Sequence, residues 1–182
     1  PNEIEFVSWL GDDDLFTSGA VESQLAVFDD NPEVVATYGG CIYIDSSGKK
    51  LALQKSGVFA SKLLTWGPNL IPQPGGLFRR SAWDQVSGLN LEYSQAFDTD
   101  LFLRMKSAGE LRYINRPLAH YRWHESALSV GNRWKSIVES SRARKGNNPN
   151  RALTSPPIDW VVRLATLAAG KILSMKLGGS KK

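Results

Sequence analysis

Three consecutive carboxylates close a short apolar run near the start of the chain, Glu5-Phe6-Val7-Ser8-Trp9-Leu10-Gly11-Asp12-Asp13-Asp14-Leu15-Phe16. Residues 4–10 are rich in β-branched, aromatic and aliphatic side chains, and a run of that length reads as a buried strand rather than a helix. The carboxylates therefore fall at the strand's end, where open α/β sheets bind their ligands. Two readings are open at this point. Three acids at a strand end suit a divalent cation and, through it, a phosphate ligand. They equally suit a solvated acidic turn that caps the helix to follow.

Length and composition bound the rest. The 182 residues, 42% hydrophobic and 22% charged, suit one domain with an appended tail. Cys41 is the single cysteine and has no Cys or His neighbour at metal-ligand spacing, so a buried, inert thiol in a reducing compartment is expected. No stretch near the N-terminus follows the signal-peptide pattern, and no run of about 18 uncharged apolar residues offers a bilayer span. Because Pro1 lies almost directly on a strand, the chain is expected to be a piece of something longer. Charge is unevenly spread: residues 1–130 carry 11 basic and 16 acidic side chains, a balance of −5, and residues 131–182 carry 11 and 2, a balance of +9. A basic tail suits an anionic partner such as a membrane surface or nucleic acid, or is simply solvated; the acidic body argues against nucleic acid.

Along the chain, Thr17 or Ser18 is positioned to cap a helix carrying Val21, Leu25 and Phe28, which stops at Asn31-Pro32. Residues 34–45 are β-rich and end in the turn Asp45-Ser46-Ser47-Gly48, with a return strand at 51–53. A short helix is expected over 59–66. Pro72-Gln73-Pro74-Gly75-Gly76 then enforces a loop. Ser81 is placed to cap a brief helix ended by Gly88, and residues 96–108 give the clearest helix, with Asp98 and Asp100 in its first turn. Two short strands are expected on either side of Pro117. In the tail, 134–144 suits a helix and 145–149 a linker, and a last helix runs from Ile158 to about Leu177. There Asp159, Arg163, Thr166, Gly170 and Ser174 form a narrow polar stripe. The wide apolar remainder calls for burial against protein or on a membrane.

Four clusters remain: the Asp triplet, the loop around Gln73, Asp98 with Asp100, and Tyr121-Arg122-Trp123-His124. In this order and spacing they resemble the family 2 glycosyltransferases, inverting enzymes of the GT-A fold that use nucleotide-diphosphate sugars. The family's strand end W-L-(N/D)-(S/A)-D-D is matched by Trp9-Leu10-Gly11-Asp12-Asp13-Asp14. Its Q-P loop and F-x-R-R are matched by Gln73-Pro74 and Phe78-Arg79-Arg80, and its turn by Gly88-Leu89-Asn90. Its (E/D)-D-x-D-L-W-L-R helix start is matched by Phe97-Asp98-Thr99-Asp100-Leu101-Phe102-Leu103-Arg104, and its Y-R-x-H by residues 121–124 with Ser129 beyond.

The resemblance implies an α/β fold: a partial GT-A, Rossmann-like mixed sheet flanked by helices, with a C-terminal amphipathic helix. Residues 1–130 would be the catalytic and acceptor-binding portion and 131–182 a basic helical tail. It implies that Asp13 and Asp14 hold Mg²⁺ or Mn²⁺ on the diphosphate, with Asp12 as a substitute ligand and His124 as a further contact to metal or phosphate. Asp98 matches the general base, while Asp100 and Arg104, at i+4, are assigned to structure. Gln73, Gly75, Gly76 and Arg122 are assigned to substrate binding, and Trp66 and Trp123 are candidate sugar platforms. The resemblance implies a nucleotide-diphosphate sugar as donor and a saccharide or lipid-linked acceptor. The expected location is cytoplasmic and peripheral on the inner membrane face, with the C-terminal helix toward the membrane.

Gly11 departs from the family's Asn or Asp, and Phe97 from the acid before the base, a change that removes polar company from Asp98. The family's nucleobase-binding N-terminal half, two βα units of about 60–90 residues, has no counterpart here. Hence an unpaired sheet edge is expected, and a complementing N-terminal chain is an implied partner. The alternative is a non-catalytic interaction module on the same scaffold.

Overall fold

The computed structural model describes residues 4–123, 132–148 and 150–178. Its strands are β1 (Phe6–Val7), β2 (Leu15–Phe16), β3 (Val34–Ile44), β4 (Lys50–Gln54), β5 (Leu77–Arg79) and β6 (Glu110–Arg122). Its helices are α1 (Ala20–Asp30), α2 (Ala60–Leu63), α3 (Arg80–Gln85), α4 (Phe97–Ala108), α5 (Arg133–Asn147) and α6 (Pro156–Gly178), with a 3-10 turn at Arg151–Thr154. The strands form one mixed sheet in the order β1-β5-β3-β6-β2, with β4 added to β3. Only β3 and β6 pair in parallel. The fold is thus the expected mixed α/β sheet flanked by helices, with a long C-terminal helix.

Alternation along β3, interrupted by a register shift between Val34 and Ala36, divides the core between two faces. Thr37 turns toward α1, where its hydroxyl donates to Gln24 Oε1 (2.9 Å), and Val34 packs there with Phe28 and Leu77. Ala36 and Tyr38 join the larger cluster with Phe78, Leu101, Phe102 and Met105. Leu101 and Phe102 of α4 are fully enclosed, and each such side chain contributes about 1.5–3 kcal/mol. This packing sets the first turn of α4 beside the ends of the sheet strands.

Several local details differ from the sequence reading. β6 runs unbroken through Pro117, which pairs with Gly40 at a register shift in β3. A bulge tolerates the missing N–H, and bare glycines make room for it: a Cβ at Gly39 would sit 2.6 Å from the Arg116 carbonyl oxygen. Helix α1 begins at Gly19, in the left-handed region at φ 67, with no side-chain cap. Thr17 instead spends its hydroxyl on the Pro117 carbonyl (2.9 Å), tying β2 to β6. Ser81 likewise does not cap α3, whose N-cap is Arg79.

On α6 the polar stripe faces inward: Asp159 is buried, Arg163 is bonded to it at 2.9 Å, and Thr166 and Gly170 face a cleft, while the Ser174 side chain lies outside the described residues. Trp160, Val161, Leu164, Ile172 and Met175 are exposed. On α5, Ser141, Arg144 and Lys145 meet Asp159 and supply the donors that a buried carboxylate requires.

Candidate active site

The cleft, of about 630 Å³, opens between the strand ends, the start of α4 and the paired helices α5 and α6. Asp12, Asp13, Asp14, Gln73 and Asp98 all line it. These five residues of the sequence-assigned set therefore converge from the strand-end turn, the Pro/Gly loop and the first turn of α4. Gly75 and Gly76 do not line it. They are buried behind the loop, Gly75 in the left-handed region at φ 87 and so close to Leu118 that a Cβ would lie 2.8 Å from that residue's Cβ. His124 lies outside the described residues.

The acidic turn is held from below. Asp14 N donates to the Gly11 carbonyl (3.2 Å), closing the turn. Asp14 is buried, and its Oδ1 accepts from Arg122 N (3.0 Å). Burial raises its pKa and the neighbouring Asp13 charge adds to the rise, against the Arg122 backbone N–H that lowers it. Gly11 proves informative: a Cβ there would sit 3.0 Å from Asp14 Oδ2 and 3.3 Å from Asp13 Oδ1. Two carboxylates thus face one bare backbone position. The side chain of Arg122 lies outside the cleft lining and clamps the turn, donating to the carbonyls of Asp13 (3.2 Å), Asp45 (2.7 Å) and Ser46 (3.1 Å).

The loop and the strand end are fastened together. Gln73 Nε2 donates to the Trp9 carbonyl (3.0 Å) and Ser8 Oγ to the Gly76 carbonyl (2.6 Å). Trp9 stacks on Phe78 at 5.5 Å and contacts Trp83 and Phe97. The position where the family carries an acid, Phe97, is therefore an aromatic neighbour of the strand-end tryptophan.

Asp98 and Asp100 have different surroundings. Asp100 is buried, bound by Arg104 Nε (2.8 Å) and Asn147 Nδ2 (3.1 Å), so its oxygens are committed to structure. Asp98 is half-buried and lines the cleft. Its Oδ1 accepts from Thr99 N (2.7 Å) and its Oδ2 from Asn69 Nδ2 at 3.3 Å. Burial pushes its pKa up to about 6, against the Thr99 hydrogen bonds that lower it. No cation pairs with it in the described structure, so near neutral pH it exchanges a proton readily.

Of the two candidate sugar platforms, Trp123 lines the cleft, and Tyr43, which escaped the sequence reading, meets it at 6.1 Å and Tyr121 edge to face at 5.4 Å, giving an aromatic platform in the cleft. Tyr43 donates to Gln54 Oε1 (2.6 Å). Trp66 is exposed and apart from the lining. Cys41 is buried, its thiol pushed up to about 12 by burial and by the Asp14 charge, hence the inert thiol expected. A spacing of three to four residues puts Arg133, Ser136, Ser140 and Arg144 on one face of α5, and that face lines the cleft.

The donor set suits a hard divalent cation in one respect. Mg²⁺ is ordinarily held by one or two carboxylates, with phosphates and water completing the shell, and Asp13 and Asp14 offer two facing the space at Gly11. No group of three or more His, Cys, Asp or Glu among the described residues is arranged as a metal cluster. No helix of the described residues is long and apolar enough to cross a membrane.

No family model matches the chain, and no curated protein matches it. Among solved structures it is similar to that of S. aureus TarS, at 11% identity and a TM-score of 0.48 over 84% of this chain. It is also similar to S. aureus TarS 1-349, at 11% identity and a TM-score of 0.46, again over 84% of this chain. The chain spans 27% of the first of these and 44% of the second.

Proposed function

We propose that this chain carries the catalytic and acceptor-binding part of a metal-assisted, inverting glycosyltransferase, acting on a nucleotide-diphosphate sugar and a saccharide or lipid-linked acceptor. The observation that carries this reading is the convergence in one cleft of an acidic turn, an amide-bearing loop and a half-buried carboxylate with a pKa near 6. The donor class is what the resemblance of these motifs to the family 2 glycosyltransferases implies.

In this reading Asp98 takes the proton from the acceptor hydroxyl as that oxygen attacks the sugar carbon, on the face opposite the departing diphosphate. Asn69 and the Thr99 N–H fix the carboxylate's orientation. Asp13 and Asp14 would hold Mg²⁺ or Mn²⁺, with Asp12 as a substitute ligand and His124 as the further contact that the resemblance implies, and the ion when bound would supply charge neutralisation of the diphosphate. Arg122 is a positioning residue that keeps the Asp13–Asp14 turn in place. Tyr43, Tyr121 and Trp123 offer flat apolar faces for a sugar or base. Calorimetric titration with Mn²⁺ and a panel of nucleoside diphosphates, repeated on Asp13→Ala, tests the reading. Metal-dependent binding that vanishes in the variant supports it; no binding by folded protein counts against it.

A second reading has its own observation. The exposed Trp160, Val161, Leu164, Ile172 and Met175 form an apolar face on α6, which suits a docking module for protein or for a membrane surface. Binding of the chain to liposomes or to a complementing N-terminal chain, without nucleotide binding, would favour it.

A further inference from the structure

Where α5 lines the cleft, its wall is cationic. Arg144 of α5 is 4% exposed and lines the cleft. Among the described residues its ion-pair partner is Asp159 Oδ1 at 3.7 Å, beyond hydrogen-bond range. Asp159 is otherwise engaged: Lys145 Nζ reaches its Oδ2 at 3.0 Å, Arg163 Nε the same oxygen at 2.9 Å, and Ser141 Oγ donates to Oδ1. One carboxylate thus serves three cations, and Arg144 holds the loosest share. A buried guanidinium left with so little compensation is costly unless an anion meets it.

The surroundings are prepared for such an anion. Arg133, also on the lining, lays its guanidinium against Gly170 of α6, where a Cβ would come within 3.1 Å of Arg133 Cζ and Nη1. Ser136 and Ser140 stand between the two arginines on the same helix face and offer hydroxyl donors. Hydroxyls flanked by guanidinium forks are the donor set that binds phosphate or carboxylate. The wall is anchored to the rest of the site: Glu139 of α5 accepts from the backbone N–H groups of Ser94, Gln95 and Ala96 (3.0, 2.7 and 3.1 Å), directly before Asp98.

We propose that the α5–α6 wall is an anion subsite, in which Arg144 and Arg133 bind a phosphate or carboxylate group of a substrate in the cleft. The proposal rests on the cleft being the substrate site but on neither the metal nor Asp98. The anion is either the donor's diphosphate or an acidic group on the acceptor.

The test is calorimetric titration of the full chain with inorganic pyrophosphate in EDTA, where the Asp13–Asp14 site makes no metal-dependent contribution. Wild-type protein is expected to bind, and Arg144→Gln to bind about tenfold more weakly, the loss of one charge-assisted contact. Arg133→Gln is expected to weaken binding several-fold, and it carries the test should Arg144→Gln fail to fold. Undiminished binding in both variants, or no binding by folded wild-type protein, overturns the proposal. Saturating nucleoside diphosphate with Mn²⁺ then identifies the source. Displacement of pyrophosphate supports the subsite and assigns it to the donor's diphosphate, whereas simultaneous binding supports it and assigns it to the acceptor. Because Mn²⁺-dependent nucleotide binding by Asp13→Ala is read separately, failure of the subsite and failure of the transferase reading are distinguishable.

Discussion

The two walls of the cleft are built by different means. The acidic wall comes from turns: Gly11 to Asp14 is one tight bend, fastened by Arg122 to three carbonyls and by Gln73 to the end of the strand run. The cationic wall comes from one helix face, held in place by a single buried carboxylate on the next helix. The first wall is local in sequence and stiff through backbone hydrogen bonds. The second depends on two helices joined through Asp159 and on the bonds from Glu139 to the loop before α4. Chemistry carried on contiguous residues survives in the sequence as a motif, and chemistry carried on a packed helix face does not.

The sharpest way to break this comparison is Asp98→Asn. Turnover with a nucleotide sugar is expected to fall by about 10²–10⁴, while circular dichroism stays native. The same variant has a stability signature. Asp98 has its folded pKa raised to about 6, so between about pH 4 and 6 the unfolded chain gives up a proton that the folded chain keeps, and wild-type stability declines as pH rises through that window. The stability of Asp98→Asn relative to wild type should therefore grow from pH 4 to 6 and then level off, as measured by urea unfolding. A flat difference would mean that Asp98 is not the group held near neutrality.

Next in size is Asp159→Ala. Removing it strands Arg144, Lys145 and Arg163 together, and a loss of about 3–5 kcal/mol is expected in urea unfolding, with α6 the first element to exchange its amide hydrogens. Burial raises the Asp159 pKa, but the Ser141 and Lys145 hydrogen bonds and the Arg163 charge outweigh it and leave the pKa lowered. Its stabilisation is thus present above the ordinary carboxylate pKa and is lost as pH falls through the lowered folded value.

Glu139→Gln should cost about 1–3 kcal/mol, since a neutral amide replaces the carboxylate that binds three backbone N–H groups. Its use is to show whether the walls are coupled: hydrogen exchange at residues 94–98 should speed up if α5 steadies the start of α4, and should not change if it does not. The smallest effect is expected from Gly11→Ala. The methyl group meets Asp14 Oδ2 at 3.0 Å, and the carboxylates must part by a few tenths of an ångström. Mn²⁺ affinity should fall about tenfold, equal to about 1.4 kcal/mol, with little change in melting temperature. Unchanged affinity would show that the placing of the two carboxylates against Gly11 does not set metal binding.

Much of the scaffold was legible because its signals are short-range. The Asp45-Ser46-Ser47-Gly48 turn announces the β3–β4 hairpin, where Asp45 Oδ1 accepts from the Ser47 (2.8 Å) and Lys49 (3.0 Å) amides. Leu101 and Met105, one turn apart, announce the buried face of α4, and Asp100 with Arg104 announces its i,i+4 ion pair, found at 2.7 Å. The misreadings share a cause. Pro117 reads as a break, yet its missing N–H is absorbed at a bulge opposite Gly40, far away in sequence. Thr17 and Ser81 read as caps. The Thr17 hydroxyl, however, has a carbonyl partner on β6 that no local pattern reveals.

The same division runs through the site. Residues 12–14, 73 and 98 are recognisable from type, order and spacing, because the acids, the amide and the base each lie within a motif of a few residues. The Arg133-Ser136-Ser140-Arg144 stripe is equally plain as a spacing, but on composition it belongs to a solvated basic tail, and the polar stripe of α6 carries no local signal of what it faces. Sequence by itself determined the strand-end acids, the hairpin, the α4 register and the carboxylate that stands free of Arg104, since each follows from steric and hydrogen-bonding preferences within a few residues. Only the tertiary structure decided that the tail's polar faces turn inward to close the cleft, because the burial of Asp159 among three cations depends on where two separate helices come to lie.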